Sequence, residues 1–216
     1  MNGKWPRVAR RSFIFFCSVP LLYLVVRLVY GTLGANPVRT AILHTGDWTM
    51  RLLILCLAVK PLSDVTRIKA LLPYRRPLGL FALFYATLHF AIYLGLDYFF
   101  QLPLVLKEAR RSPYIIVGFG SFLILVFLGA TSVKSWMRRL GVRRWSRIHL
   151  LVYPVAVGGV VHNTLKAKTA GPKLLIYAAL VAALLVYRLL RKPLGFCRPD
   201  GRMPGFPRGS PEADAR

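Results

Sequence analysis

The sequence predicts an all-α integral membrane protein, a bundle of six transmembrane helices. Its 216 residues are 56% hydrophobic, and the mean hydropathy is +0.50, a value that soluble domains seldom reach. Six apolar segments approach the roughly 20 residues that span a bilayer core of about 30 Å. Little chain lies between them, so the sequence favours one compact membrane domain over one or two soluble domains.

The six predicted helices cover residues 12–30, 42–59, 78–100, 114–133, 148–165 and 173–190. Because Gly and Pro punctuate helices, short connections are predicted at 31–41, 101–113 and 166–172. The remaining connections, which are basic, are 60–77 and 134–147. This pattern divides the chain into a basic N-terminus at 1–11, a membrane domain at 12–192 and a tail at 193–216. The tail is rich in Pro, Gly and charge and is predicted to be disordered.

Two of the predicted helices contain proline. Pro20 in the first helix and Pro154 in the fifth each remove a backbone hydrogen bond and are expected to kink their helices. Gly158 and Gly159 follow Pro154 and leave room for a neighbouring helix or a flat cofactor. The first helix follows basic residues as a signal peptide does, but Arg27 interrupts its end and no small-residue cleavage site follows. A retained helix is therefore predicted.

The charge distribution predicts the orientation. A formal net charge of +24 fits proteins that bind nucleic acid, but the placement of the charge argues against that class. Most of the 31 Lys and Arg residues lie in the N-terminus, the two basic connections and the C-terminal end. This is the positive-inside pattern. It predicts a multi-pass membrane protein, in contact with lipid, with both termini in the cytoplasm.

Histidines inside the predicted helices are the candidate functional residues. His89 lies within the third helix, and His149 and His162 lie at the start and end of the fifth. Ionisable groups are costly within a bilayer and are functional candidates by default, and imidazole is the commonest metal-binding side chain. His89 and His162 both fall in the periplasmic half. We therefore predict a haem between helices 3 and 5 that transfers electrons across the membrane. Packing or hydrogen-bonding histidines are the alternative, and this is the stronger interpretation for His44.

The number of haems stays open at one or two. His149 lies near the cytoplasmic boundary, about 140° around an ideal helix from His162. At its depth the third helix offers Arg75 and Arg76 instead of a histidine. His149 would therefore serve an inner haem with another ligand or a cytoplasmic-side cofactor site, with Arg76 as a further cofactor contact. The three cysteines are isolated and form no covalent haem-attachment signature, so a b-type haem is expected.

Arg51 is a further candidate, about one-third into the second helix. An unpaired arginine at that depth is costly, and two partners are open: a haem propionate and Asp47, one turn earlier. The Gly118-Phe119-Gly120 segment lacks the strand–turn–helix context of a dinucleotide site. We therefore expect no NAD(P)H oxidation by the chain alone. No catalytic constellation is evident, so the chain is not expected to reduce a substrate by its own chemistry.

Ordered motifs along the chain resemble the MsrQ (YedZ) family, which belongs to the ferric-reductase-like transmembrane group. The motifs are TGDW at 45–48, RRPLGL at 75–80, YATLHF at 85–90 and RWSRIHLLVY at 144–153, with His162 beyond them. The resemblance spans roughly residues 8–192.

The resemblance implies a haem-binding subunit of a methionine-sulfoxide repair system, located in a bacterial inner membrane. It implies electron transfer through b-type haem to a periplasmic molybdopterin-containing reductase that repairs oxidised methionine in envelope proteins. It also implies an association with flavin mononucleotide, and a membrane quinol or a cytosolic flavin reductase as the donor. By position, His89, His149 and His162 correspond to the haem histidines of the family.

Two other classes of function remain open. One is a proton-coupled transporter or channel that depends on the histidines, and the other is a structural membrane anchor for a partner enzyme. If the chain does transfer electrons, the predicted outer connection 101–113 is the expected docking surface, through Lys107, Arg110 and Arg111. The basic connection 134–147 either docks a flavoprotein or flavin phosphate, or reflects ordinary topology.

Overall fold

The computed structural model describes residues 7–167 and 171–190, and these residues are helical, without strands. The helices are α1 (Arg7–Val29), α2 (Pro37–Thr66), α3 (Arg75–Ile92), α4 (Leu102–Arg111), α5 (Pro113–Thr131), α6 (Lys134–Ile148), α7 (Val152–Lys166) and α8 (Pro172–Leu190). Six stretches are long and apolar enough to cross a membrane, which confirms the predicted six-helix membrane fold. The tail predicted at 193–216 lies outside the described residues.

Two segments predicted as connections are themselves helical. The segment 101–113 forms α4, and 134–147 falls within α6. Pro103 lies in the first turn of α4, where its missing N–H costs no hydrogen bond. Proline therefore begins this helix rather than ending one. In α6 the backbone departs from helical angles at Gly141, whose φ is 69°, a conformation that glycine adopts without strain.

The two predicted kink sites differ in structure. At Pro20 in α1, the Tyr85 hydroxyl inserts between two backbone groups, donating to the Cys17 carbonyl at 2.8 Å and accepting from the Leu21 N–H at 3.1 Å. The Tyr85 side chain of α3 thus replaces the backbone hydrogen bond from Leu21 to Cys17 and gives both backbone groups a partner. Pro154 instead lies in the first turn of α7, because a short 3₁₀ turn at His149–Leu151 separates α6 from α7. Proline is tolerated in that position.

The second helix is the centre of the bundle. Half of the apolar window of α2 is buried, against 17–22% for the other five spans. The most enclosed side chains include Leu53 of α2, Ala82 and Tyr85 of α3, and Ala156 of α7. Small residues at helix contacts let backbones approach closely, which is how membrane helices gain packing energy without a hydrophobic drive between them.

The bundle has two ends that differ in character. We call the end that carries residues 67–74 and α6 the basic end. The other, the far end, carries α4, the start of α2 and the end of α7. The last residues of α3 continue as a π-helical turn, Tyr93–Asp97, at the far end. The far end is the end at which the helices diverge around a cavity.

Candidate haem site

A cavity of about 880 Å³ extends from the middle of the bundle to the far end. Helices α2, α3, α5 and α7 form its walls, and α4 lies across it. Its inner part is apolar and is lined by Met50, Leu53, Ala86, Phe90, Phe119 and Phe122. Cavities of roughly 300–1,000 Å³ with mostly apolar walls are typical of cofactor and ligand sites.

Two of the predicted site residues meet in this cavity. The ring centroids of His89 and His162 are 6.3 Å apart, and the ring planes lie at 85° to each other. Because imidazole ligands hold first-row metals at about 2 Å, two rings on opposite sides of one metal ion have centroids about 6 Å apart. The spacing of His89 and His162 therefore suits the two axial ligands of a single iron.

Each ring is held by a backbone carbonyl. The Nδ1–H of His89 donates to the Ile42 carbonyl at 2.9 Å, and the Nδ1–H of His162 donates to the Tyr114 carbonyl at 2.7 Å. A carbonyl oxygen only accepts, so the proton of each neutral ring is on Nδ1 and the lone pair is on Nε2. A hydrogen bond of this kind fixes the tautomer and orientation of a metal-binding histidine.

Two glycines leave space for the rings. A methyl group at Gly118 would lie 2.5 Å from Nδ1 of His162, and one at Gly46 would lie 3.1 Å from Nδ1 of His89. Sequence reasoning missed both positions as parts of the site. The available signal was a glycine inside an apolar helix, which often marks close approach of another group.

The third candidate histidine lies apart from this pair. The Nδ1–H of His149 donates to the Trp145 carbonyl at 3.1 Å, and its Nε2 lies 3.2 Å from the Ser132 hydroxyl oxygen. Its ring packs on the Trp145 indole, with centroids 4.0 Å apart. His149 lies at the basic end and does not line the cavity. Metal binding by this residue requires one of its contacts to break.

The structure does not bring the candidate arginines to the cavity. Arg51 donates from Nε to the Tyr177 hydroxyl at 3.1 Å, and its guanidinium lies 4.8 Å from the centre of the Trp48 ring. Asp47, its alternative partner, pairs instead with Lys173. The Arg76 guanidinium donates to the carbonyl of Ser132 at the basic end.

The far end of the cavity is polar. Three cations line it, and sequence reasoning placed none of them there: Arg39, Arg110 and Lys166. Arg110 had been assigned to a docking surface. Its position follows from the helical form of α4, which turns one side of that segment toward the cavity. His44 lies elsewhere, with Nε2 donating to the Pro20 carbonyl at 3.0 Å, in agreement with a packing role.

Comparisons with known proteins give one consistent result. Residues 45–160 match the family described as ferric reductase like transmembrane component. Three relatives named protein-methionine-sulfoxide reductase heme-binding subunit MsrQ align along most of their length. That of Caulobacter vibrioides is 38% identical over 80% of this chain and 82% of its own. The relative from Rhodospirillum rubrum is 38% identical over 92% of this chain and 94% of its own length. The relative from Brucella ovis is 42% identical over 88% of this chain and 84% of its own length.

Proposed function

The chain belongs to the ferric-reductase-like transmembrane family and, within it, to the MsrQ haem-binding subunits, and from this we propose that it carries electrons through a b-type haem held by His89 and His162. The observation that carries the proposal is the pair of imidazoles 6.3 Å apart in one cavity. The relatives are named as heme-binding subunits, and this pair is the best site for such a group among the described residues.

The residues of the cavity suit haem in three respects. Two neutral imidazoles are ligands that iron accepts. Gly46 and Gly118 keep the space beside the rings free of side chains. The Tyr93 hydroxyl is buried in the wall without a hydrogen-bond partner among the described residues, and a polar ligand group would satisfy it.

When bound, haem supplies one-electron oxidation and reduction. His89 and His162 would hold the iron from two helices, and two protein ligands would favour electron transfer over chemistry at an open iron position. The carbonyls of Ile42 and Tyr114 hold each imidazole in one tautomer and orientation, so the pair would need little rearrangement to hold the group. The apolar walls restrict water around the site and help to set its potential.

The basic end, by the positive-inside rule, faces the cytoplasm, and the cavity lies in the periplasmic half. We propose that the chain supplies electrons to a periplasmic molybdopterin-containing methionine-sulfoxide reductase, which performs the reduction. A membrane quinol or a cytosolic flavin reductase supplies the electrons. For a flavin donor, α6 offers a row of cations to an acidic reductase or to the phosphate of flavin mononucleotide: Arg138, Arg139, Arg143 and Arg144.

Spectra of purified histidine variants test the haem assignment. We expect b-type bands in the reduced-minus-oxidised spectrum of the wild-type protein. His89→Ala and His162→Ala should each lose haem or change its spin state. His44→Ala is the matched control, because this ring lies outside the cavity, and it should keep the wild-type spectrum. Wild-type spectra in both ligand variants would refute the assignment.

Two further measurements separate the competing functions. A wild-type protein that lacks haem but moves protons into vesicles would favour a histidine-dependent transporter or channel. For the electron acceptor, the reduced protein is mixed with the purified molybdopterin enzyme and methionine sulfoxide. Reoxidation of the haem only when both are present supports the proposed direction of electron flow, and failure to reoxidise contradicts it.

A further inference from the structure

Three cations meet where the cavity reaches the far end. Arg39 lies in the first turn of α2, Arg110 lies near the end of α4, and Lys166 is the last residue of α7. The ion pairs found among the described residues join Lys60 to Asp64 and Lys173 to Asp47. The three cations of the cavity therefore have no carboxylate within 4.0 Å in that part of the chain.

Of the three cations, Arg39 and Arg110 are exposed and Lys166 is partly buried, so the lack of a counter-anion costs most at Lys166. Lys166 is half-buried, and charged groups removed from water are stabilised chiefly by paired charges and hydrogen bonds. Of the two acidic residues that line the cavity, Asp47 is already paired with Lys173, and Asp97 is the other. The cations outnumber the carboxylates available to them, so the mouth of the cavity is suited to an anionic ligand.

The cations of α4, the helix that lies across the cavity, are on two different sides of that helix. Its residues Leu102, Val105, Leu106 and Ala109 line the cavity at helical spacing, and Arg110 lines it beside them. Lys107 and Arg111 belong to the same helix but do not line the cavity. One short helix thus offers an inward cation and two matched cations that face away from the cavity.

We propose that Arg39, Arg110 and Lys166 bind the two propionates of the haem, so that its carboxylate edge lies at the far end beneath α4. The inference rests on the proposed function. Haem is an apolar macrocycle with two carboxylates on one edge, and the cavity is apolar in its depth and cationic at its mouth. Charge-assisted hydrogen bonds from arginine to carboxylate are among the strongest that proteins form.

Such an orientation has a consequence for electron flow. It places the propionate edge at the surface that faces the partner and makes α4 part of the haem site. Arg110 then acts on the haem itself, whereas Lys107 and Arg111 stay available to a docking protein. The sequence assigned docking alone to this segment, whereas the inference gives it two roles, one on each side of the helix.

The test compares haem with its dimethyl ester, in which both propionates are neutral. Full-length protein in detergent is stripped of haem and titrated with each compound, for the wild type, Arg110→Gln, Lys166→Gln and the controls Arg111→Gln and Lys107→Gln. We expect the two cavity variants to bind haem about tenfold more weakly, which is the loss of one ion pair of about 1.4 kcal/mol. They should bind the ester as the wild type does, and the controls should change neither affinity.

The outcomes are distinct. Equal losses for haem and ester would mean that the two cations act on the structure and not on the propionates, which overturns the inference. Unchanged haem affinity in both cavity variants also overturns it, while b-type spectra that still depend on His89 and His162 leave the proposed function intact. A wild-type protein that binds neither compound overturns the proposed function and this inference together.

Discussion

Histidines at the two ends of the bundle differ in what their second ring nitrogen does. At the far end, His89 and His162 each donate to a carbonyl from Nδ1–H, and the lone pair on each Nε2 accepts no hydrogen bond from a protein donor among the described residues. At the basic end, both nitrogens of His149 lie within hydrogen-bond reach of protein groups. We infer that a membrane histidine is a candidate ligand when it keeps a nitrogen free and also lines the cavity, as His89 and His162 do and His44 does not, and that depth alone does not identify it.

The surroundings of the histidines differ in the same way. The far end is hollow, whereas the basic end is closed by groups that bind the last carbonyls of α5. Trp145 donates from its indole N–H to the Thr131 carbonyl at 3.0 Å, and Arg76 donates to the Ser132 carbonyl. The last carbonyls of a helix lack partners within it, so Trp145 and Arg76 cap α5, and His149 lies beside them against the Ser132 hydroxyl. This contrast predicts loss of haem from changes at one end and loss of stability from changes at the other.

The largest effect is expected from Gly118→Ala at the far end. The added methyl group would lie 2.5 Å from Nδ1 of His162, which is closer than van der Waals contact allows, so the ring or α5 must shift. We expect the hydrogen bond to Tyr114 to be lost and the haem content per polypeptide to fall several-fold, as measured by absorbance of the purified protein.

Gly120→Ala is the matched control for this prediction. It lies on the same helix, and a methyl group there meets nothing within 4 Å. Its haem content should equal that of the wild type. Equal haem content in Gly118→Ala and Gly120→Ala would show that the position of the His162 ring does not determine haem binding. It would then contradict the expectation that changes at the far end cause loss of haem.

The fold was largely predictable from the sequence, whereas the site was predictable only in part. Apolar runs near the length of a bilayer span identify six helices directly, and two histidines at similar depth identified the pair. The positions of α4 and of Arg110 were not predictable. Proline was interpreted as a turn signal in 101–113, but in the first turn it favours a helix. Whether a cation on a short helix faces a cavity or water depends on tertiary packing, which periodicity does not report.

Arg51 is a second residue whose surroundings could not be predicted from the sequence. The cost of a charge within a bilayer predicts that an intramembrane arginine has a partner, but it does not determine which partner. The structure supplies the Tyr177 hydroxyl and the Trp48 ring, residues that lie on different helices. The sequence likewise predicts His149 near one end of its helix, but its contacts to Trp145 and Ser132 could not be derived from sequence spacing.

A smaller effect of a different kind is expected from His149→Ala. The substitution removes the contacts to Trp145 and Ser132 and the packing on the indole. A buried polar group that loses its partner typically costs about 1–3 kcal/mol. We expect a lower thermal unfolding midpoint in detergent, with the b-type spectrum of the remaining folded protein unchanged. A spectrum with fewer haems per polypeptide and an unchanged midpoint would instead make His149 a ligand and end the contrast between the two regions.

The smallest effect is expected from Arg51→Gln. Its hydrogen bond to Tyr177 and its contact with Trp48 lie outside the cavity. A cation–π contact at a partly exposed site contributes about 0.5–1 kcal/mol, so the unfolding midpoint should fall slightly. Haem content and midpoint potential should match the wild type, because the guanidinium does not line the cavity. Spectroelectrochemistry of the purified variant measures both. A marked fall in haem content, with Gly120→Ala still behaving as the wild type, would mean that Arg51 reaches a propionate and that the anionic edge of the haem extends toward α8 instead of α4.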